Sequence, residues 1–227
     1  MAINVGWPER DSLMVINYDT SLFKFREWFA STVGHSTLEE LHFKWQVDTA
    51  NYQNKVADFQ SLCSGNFETL RECLNRFSKD IIEPIFGEIA SRQPDVTFRS
   101  HFSVNNPVLS IEKYDAKHMQ CSEFLRKHYF DNYRPGVFHR DKDYGLLAGT
   151  VNLWVPITDV FGANSLWIGG RNNNGNDAFP VSMKYGECLF FDGATRWHGA
   201  VWNTTATTRI SFDTRFIPKR HLSLLRG

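Results

Sequence analysis

The sequence has little cysteine, and none of it stands in a pattern of known structural use. Only four of the 227 residues are cysteine, and no two of them form a CxxC pair. Such a set is too sparse for a disulfide framework and is wrongly spaced for a zinc knuckle. The first 15 residues show no basic stretch followed by a long apolar run, and no segment approaches the length of a membrane span. These absences predict a reduced, cytoplasmic protein without a membrane anchor.

An excess of charge of either sign is also missing. Lys and Arg together number 25, as do Asp and Glu, so the formal net charge is zero. This balance argues against a general binder of nucleic acid or of membrane surfaces. No glycine-rich phosphate loop joins a strand to a helix, and no nucleophile elbow is present. The partner that remains is a small molecule, and the sequence leaves the oligomeric state open.

Aromatic residues are abundant, and the spacing of apolar residues changes along the chain. Nineteen Phe and seven Trp favour a folded chain with a large core. Up to residue 95 the apolar residues recur at helical spacing. Three helices are predicted there: one over 22–33, a short one opened by a capping box at 36–39, and a long one over 66–89 that is kinked at Pro84.

After residue 95 the pattern changes to short alternating segments, which are typical of strands. Strands are predicted at 97–103, 108–114, 136–141, 149–157, 165–168, 187–192, 199–203 and 208–216. Helices followed by many short strands predict a single domain over 1–227, in which a helical buttress (1–95) supports a double-stranded β-helix, or jelly roll (96–218). Residues 115–135 form a long polar connection and are predicted to cover the site as a lid.

The predicted strand at 208–216 has a polar face. Arg209, Ser211, Asp213 and Arg215 alternate with apolar residues and therefore share one side of the strand. Burying two arginines is costly unless each is paired. If Asp213 and Arg215 pair with each other, Arg209 needs a bound anion, and a guanidinium grips a carboxylate with two parallel hydrogen bonds. A polar face inside a sheet protein predicts a pocket.

Two histidines and one aspartate supply a set of metal ligands. His139 and Asp141 lie two positions apart, and His198 follows a turn after an apolar strand. Two imidazoles and one carboxylate form the facial triad that suits Fe(II), and they leave three coordination positions open. A His-x-Asp pair alone arises by chance in a chain of this composition. The distant histidine, with Arg209 eleven residues after it, makes the set specific.

These residues resemble the signature of the Fe(II)/2-oxoglutarate-dependent dioxygenases. The resemblance rests on His139-x-Asp141, His198 and Arg209-x-Ser211, and it covers roughly residues 95–218. The segments FHRDKDYG, VNLWVPITD, ANSLWIG and HGAVWNTTATTRISFDTRF further resemble a branch found in natural-product pathways, including streptomycin-type biosynthesis. That branch often has histidine after Tyr-Gly, where this chain has leucine, so the resemblance does not extend to this position.

The resemblance implies both a fold and a chemistry. It implies a jelly roll that binds Fe(II) through the triad and uses 2-oxoglutarate and O2 to oxidise an unactivated C–H bond of a small polar molecule. Hydroxylation, desaturation and ring closure all stay open. The residues implied to hold 2-oxoglutarate are Arg209, Ser211 and Asn152. A cupin-type isomerase or a sugar-binding jelly roll is the alternative, and neither needs Arg209 to face inward. Three intact ligands weigh against an inactive homologue.

Substrate contacts are predicted at polar and aromatic residues that face or border the pocket. They are Arg99, His101, Tyr144, Trp154, Asn164 and Arg215. Several have a plainer alternative. His101 also suits the pocket wall, Trp154 the core, and Tyr144 ordinary packing, while Asn164 suits the start of a strand after a turn. Arg99, His101, Arg215 and Asn152 in one pocket suit a small polar molecule, such as one bearing a carboxylate.

Overall fold

The computed structural model describes residues 13–104, 138–171 and 177–226. The predicted strand at 108–114 and the predicted lid at 115–135 lie outside these residues. Within the described ranges, no helix is both long enough and apolar enough to cross a lipid bilayer.

Helices occupy most of the first described range. They are α1 (Phe25–Val33), α2 (Leu41–Lys44), α3 (Tyr52–Gly65), α4 (Phe67–Phe77) and α5 (Glu83–Phe86), with a π-helical turn (Ser78–Ile82) between the last two. Single 3-10 segments occur at Leu38–Glu40, Asp141–Tyr144, Gly162–Asn164 and Lys219–Arg226. The helical N-terminal part is therefore confirmed, and one short strand flanks it on each side.

The strands of the described residues form two antiparallel sheets. They are β1 (Met14–Asn17), β2 (Ile89–Arg92), β3 (Thr97–His101), β4 (Val151–Pro156), β5 (Trp167–Ile168), β6 (Phe179–Pro180), β7 (Glu187–Phe191), β8 (His198–Gly199) and β9 (Arg209–Pro218). The larger sheet has the order β1-β7-β4-β9-β2, and β3 pairs with the first half of β9; the smaller sheet has the order β6-β5-β8. The prediction of a mainly β protein with a helical N-terminal part is confirmed, and closure into a jelly roll stays a prediction.

Strand β9 separates the core from the site. On its apolar side, Phe212 is fully buried and its ring centroid lies 5.1 Å from that of Phe25 in α1. Further along, Phe216 lies 5.1 Å from Phe86 of α5. Each buried phenylalanine contributes roughly 1.5–3 kcal/mol through removal of its ring from water. The helices therefore cover one face of β9 and leave its polar face to the other side of the sheet.

The helical prediction differs from the structure at three places. The long helix ends before Ile89, because Gly87 adopts a φ of 75° and the chain then enters β2. Glu39 makes no capping box, since its carboxylate accepts two hydrogen bonds from Arg26, at 2.7 and 2.8 Å. Helix α3 was not predicted at all, although it forms one wall of the site described below.

The strand predictions differ mainly in length. Of the predicted strand at 136–141, the described residues 138–141 contain only a bridge between His139 and His198, after which Asp141 begins a 3-10 turn; residues 136 and 137 lie outside the described ranges. The predicted strand at 199–203 is replaced by β8, which ends at Gly199. Strands β1, β2 and β6 were missed because two to four residues are too few to show an alternation.

Candidate metal centre and its cavity

A backbone bridge places the two histidines side by side. The N–H of His139 donates to the carbonyl of His198 at 3.0 Å, and the N–H of His198 donates to the carbonyl of His139 at 2.9 Å. Residues paired in this way project their side chains to the same side. The two ring centroids are accordingly 4.5 Å apart. Two residues distant in the sequence thus present adjacent imidazoles.

Asp141 enters the same site from a 3-10 turn. Its N–H donates to the carbonyl of Gly193 at 2.8 Å, which docks this turn on the segment after β7. The turn ends at Gly145, whose φ of 88° lies in the left-handed region that glycine occupies without steric cost. The Asp141 side chain is only 2% exposed, and its Oδ1 lies 3.4 Å from His139 Nε2 and 3.6 Å from His198 Nε2.

The three side chains form a donor set that suits a transition-metal ion. Their candidate ligand atoms all lie within 4.8 Å of one another. With metal–ligand bonds of about 2.1 Å, adjacent ligand atoms on one ion lie about 3.0–3.4 Å apart. The distances of 3.4 and 3.6 Å from Asp141 Oδ1 to the two Nε2 atoms are close to this value. Within the part of the chain that the structure describes, this is the only such cluster of histidine, cysteine and acidic side chains. The residues present therefore fit the predicted Fe(II).

The protonation states also suit metal binding. His198 Nδ1 lies 3.0 Å from the carbonyl of Arg196 and donates a hydrogen bond to it. The proton is thereby held on Nδ1, and the lone pair of Nε2 is left on the side of Asp141. Burial lowers the pKa of His198 to about 4, although the charge of Asp141 opposes this shift. Burial disfavours ionisation of Asp141, but hydrogen bonds from His139 and Arg215 outweigh it and lower its pKa. Neutral imidazole and ionised carboxylate are the forms that metal ligands require.

A cavity of about 300 Å³ opens beside these ligands. Both sheets and one side of α3 line it, and α3 contributes Tyr52, Gln53, Val56 and Gln60. From β9 come Arg209, Asp213 and Arg215, so the polar face of this strand points into the cavity. The volume is at the lower end of the range of small-molecule sites, which agrees with the predicted class of partner.

Arg209 is held within the wall of this cavity. Its side chain is largely buried, and Nη1 donates to the carbonyl of Asn164 at 3.1 Å. The guanidinium lies over the ring of Trp154, 5.7 Å from its centroid. Trp154 therefore belongs both to a buried cluster and to the cavity wall. It packs in the core, as one alternative proposed, and its contact with substrate stays a prediction.

His101 pairs with Arg209 across β3 and β9 and lines the same cavity. The residue is 2% exposed, and its Nε2 has no hydrogen-bond partner among the described residues. Burial lowers the pKa of His101 well below its ordinary value, and the charge of Arg209 adds to this effect. The Oγ atom of Ser211 is also buried without a partner in the described chain. Buried polar atoms are rarely left in this state. His101 lines the cavity, so its Nε2 marks a place where a ligand can bond, whereas Ser211 is fully buried and is not among the residues that line the cavity.

Asn152, predicted to hold 2-oxoglutarate, and Arg215, predicted to contact substrate, both donate hydrogen bonds to the carboxylate of Asp141. Asn152 Nδ2 donates to Asp141 Oδ2 at 2.6 Å, so the amide assigned to 2-oxoglutarate is engaged by the metal ligand. Arg215, assigned to substrate, donates from Nε to Oδ2 at 2.9 Å and from Nη2 to Oδ1 at 3.3 Å. The predicted pair of Asp213 with Arg215 is only a secondary contact of 3.6 Å, because Asp213 accepts the 2.8 Å bond from Arg99.

Tyr144 and Asn164, both predicted to contact substrate, are not among the described residues that line the cavity. Tyr144 is 69% exposed and packs edge-on against His139, with 5.1 Å between ring centroids. The Asn164 side chain closes its own turn, where Oδ1 accepts the N–H of Phe161 at 2.7 Å and Nδ2 donates to Thr207 at 2.9 Å. Its part in the site is the backbone carbonyl that holds Arg209.

The wall formed by α3 and the close contact at Gly193 were missed from sequence. The helical spacing of Tyr52, Val56, Phe59 and Cys63 was a signal that could have found α3. A Cβ atom on Gly193 would lie 2.4 Å from Nδ2 of Asn152, so only glycine fits beside that amide. No local pattern reveals such an approach, because it depends on tertiary packing.

Comparison with known proteins finds one relative by sequence and several weak likenesses by structure. The chain is 34% identical over 164 residues to the streptomycin biosynthesis protein StrG of Streptomyces griseus, and the alignment covers 62% of this chain and 78% of StrG. No protein-family model matches the chain.

Two solved structures illustrate the likenesses by fold. One is the non-heme monooxygenase ThoJ in its nickel complex, with a TM-score of 0.40, 17% identity, and 62% of this chain and 49% of that chain covered. The other is the non-heme alpha ketoglutarate dependent epimerase SnoN from nogalamycin biosynthesis, with a TM-score of 0.39, 14% identity, and coverages of 64% and 56%. This chain thus spans about half the length of these structures, and at such scores the likenesses carry no argument about chemistry.

Proposed function

We propose that this chain, which belongs to the family of the streptomycin biosynthesis protein StrG, is an Fe(II)- and 2-oxoglutarate-dependent oxygenase of natural-product biosynthesis. Its substrate is a small polar molecule in which an unactivated C–H bond is oxidised. The observation that carries the proposal is the opening of one cavity onto both the cluster of His139, Asp141 and His198 and the buried guanidinium of Arg209. A bound Fe(II) in such a triad supplies oxygen activation coupled to oxidation of 2-oxoglutarate.

The residues of the chain have separate tasks in this proposal. His139, Asp141 and His198 hold the metal and leave three positions open, which two oxygens of 2-oxoglutarate and O2 require. Arg209 grips the distal carboxylate of 2-oxoglutarate through two parallel hydrogen bonds. Ser211, two residues further along the same strand face, adds its unpartnered hydroxyl.

The cavity walls contribute orientation and exclusion of water. The ring of Trp154 fixes the Arg209 guanidinium from one side, and the Asn164 carbonyl fixes it from another. Helix α3 forms one wall of the cavity of about 300 Å³ and therefore covers the site on that side. Hydroxylation, desaturation and ring closure share the first hydrogen abstraction, so the same walls serve each outcome.

The test combines anaerobic binding with a substitution at Arg209. Metal-free protein is mixed with Fe(II) and 2-oxoglutarate without oxygen, and a visible charge-transfer band is expected. With oxygen, succinate is expected. Arg209→Lys keeps the charge but loses the planar fork, and a charge-assisted bond is worth roughly 1.5–3 kcal/mol. The KM for 2-oxoglutarate should therefore rise by about tenfold or more, with Fe(II) affinity nearly unchanged.

Arg92→Lys is the matched control, because Arg92 lies on the neighbouring strand β2 and bonds Asn75 outside the cavity. It should leave KM as in the wild type. An Arg209→Lys protein with unchanged dependence on 2-oxoglutarate would remove the co-substrate assignment. A cupin-type isomerase that uses the metal alone would then be the better description.

A further inference from the structure

The two oxygen atoms of Asp141 have different surroundings. Oδ1 faces the imidazoles, at 3.4 Å from His139 Nε2 and 3.6 Å from His198 Nε2. Oδ2 accepts a hydrogen bond of 2.6 Å from Asn152 Nδ2 and another of 2.9 Å from Arg215 Nε. A longer bond of 3.3 Å joins Arg215 Nη2 to Oδ1. Oδ1 is thus turned towards the two histidines, while Asn152 and Arg215 hold Oδ2 by hydrogen bonds.

The sheet register places the two donors together. Asn152 of β4 and Arg215 of β9 are direct cross-strand partners. Side chains of directly opposed residues project from the same face and lie about 5 Å apart at Cβ. Both can therefore reach one carboxylate oxygen, and the pairing of β4 with β9 fixes their separation.

Contacts with neighbouring residues restrain each of the two donors. The amide of Asn152 packs so closely against Gly193 that a Cβ atom there would lie 2.4 Å from Nδ2. The guanidinium of Arg215 donates from Nη1 to Gln93 Oε1 at 3.3 Å and lies 3.6 Å from Asp213 Oδ1. The orientation of Oδ2 is therefore set by a supported pair of donors rather than by one mobile side chain.

The arrangement bears on how Asp141 can bind a metal. A carboxylate can bind an ion through one oxygen or through both. When two donors occupy the lone pairs of Oδ2, only Oδ1 is left for the ion. The geometry points to Asn152 and Arg215 as positioning residues that restrict Asp141 to a single metal–oxygen bond. This inference rests on the metal site of the proposed function.

The restriction matters because open coordination positions are scarce. A triad that uses one oxygen of Asp141 leaves three positions on a six-coordinate ion, and a chelating carboxylate leaves about two. An oxygenase that binds a two-oxygen co-substrate and O2 needs all three. By engaging Oδ2, the two donors therefore keep Asp141 from occupying the coordination position that O2 needs.

The test counts water molecules on a bound ion and needs neither 2-oxoglutarate nor turnover. Metal-free protein is saturated with Mn(II), whose effect on water-proton relaxation reports the number of exchangeable waters on the ion. The wild type is compared with Asn152→Ala, Arg215→Met and the double variant. The matched control is Arg92→Met, which removes an arginine from the neighbouring strand without touching the cavity.

In the double variant Oδ2 is free to bind the ion and to displace one of three waters. The relaxation effect per bound Mn(II) should therefore fall by about one third, while Arg92→Met keeps the wild-type value. A double variant that binds Mn(II) with the full wild-type effect would overturn the inference and leave the metal site standing. Should the double variant not fold, Asn152→Ala decides, and an unchanged effect there counts against the inference. A wild type that binds no Mn(II) would remove the metal site itself.

Discussion

The buried, neutral state of His198 has a measurable consequence for the pH dependence of stability. Burial lowers the pKa of this imidazole from 6.5 to about 4. In the unfolded chain the ring gains its proton near its ordinary pKa, whereas in the folded protein it stays neutral down to about pH 4. Between these values the unfolded state binds more protons, so the free energy of unfolding must fall as pH falls through this window.

The size of the effect follows from the shift. One pKa unit corresponds to about 1.4 kcal/mol, so two full units would amount to about 2.8 kcal/mol. Partial protonation of the folded and unfolded chains at the two ends of the window lowers the change between pH 7 and pH 4.5 to about 2.5 kcal/mol. The perturbation is His198→Gln, which keeps an N–H for the Arg196 carbonyl but does not titrate. The difference in unfolding free energy between pH 7 and pH 4.5 should be smaller in the variant by about 2.5 kcal/mol.

Urea unfolding of the metal-free proteins at the two pH values measures this difference. Burial also lowers the pKa of His101, so this residue likewise makes the free energy of unfolding fall as pH falls below 6.5. The His198→Gln variant should therefore keep part of the pH dependence. Asp141 acts at lower pH. Its folded pKa lies below its ordinary value of 3.8, so its contribution is lost only as pH falls below that value. Equal pH dependence in wild type and variant would show that His198 is not held neutral by burial.

Two further predictions concern the ligands and their support. His139→Ala, His198→Ala and Asp141→Asn should each abolish succinate formation while circular dichroism shows an intact fold, and near-wild-type activity in any one would exclude that residue as a metal ligand. Gly193→Ala should destabilise the protein by about 1–3 kcal/mol in urea unfolding, because the new methyl group overlaps the Asn152 amide, 2.4 Å away. Gly65→Ala is its control, since a Cβ there meets nothing within 4 Å; equal effects of the two substitutions would refute the steric argument.

The composition of the site was visible in the sequence because strand geometry is simple. Alternation with a period of two was enough to put Arg209 and Asp213 on one face of β9, and the cavity is found on that face. The partner of Arg215 was not visible. Within one strand the nearest acid is Asp213, whereas Asp141 becomes a neighbour only through tertiary structure.

The missing information is the register between strands. Asn152 meets Arg215 because β4 and β9 pair with one particular offset, and that offset depends on both strands and on which faces they bury rather than on either segment alone. The same limit explains β2, whose four residues have no recognisable pattern until they pair with β9. Helix α3 is a different case, since its apolar spacing was present and overlooked.

The division of β9 into two faces has a consequence for how such a protein can change. Arg209 and Arg215 lie on one face, while Phe212 and Phe216 alternate with them on the other. A deletion or insertion of one residue between the arginines would move everything beyond it to the opposite face. After a deletion, Arg215 would enter the aromatic core and Phe216 would take its place beside Asp141; after an insertion, Thr214 would take that place. Substitutions can alter the cavity one side chain at a time, but a change of length within this strand removes the metal support and the core packing in a single event.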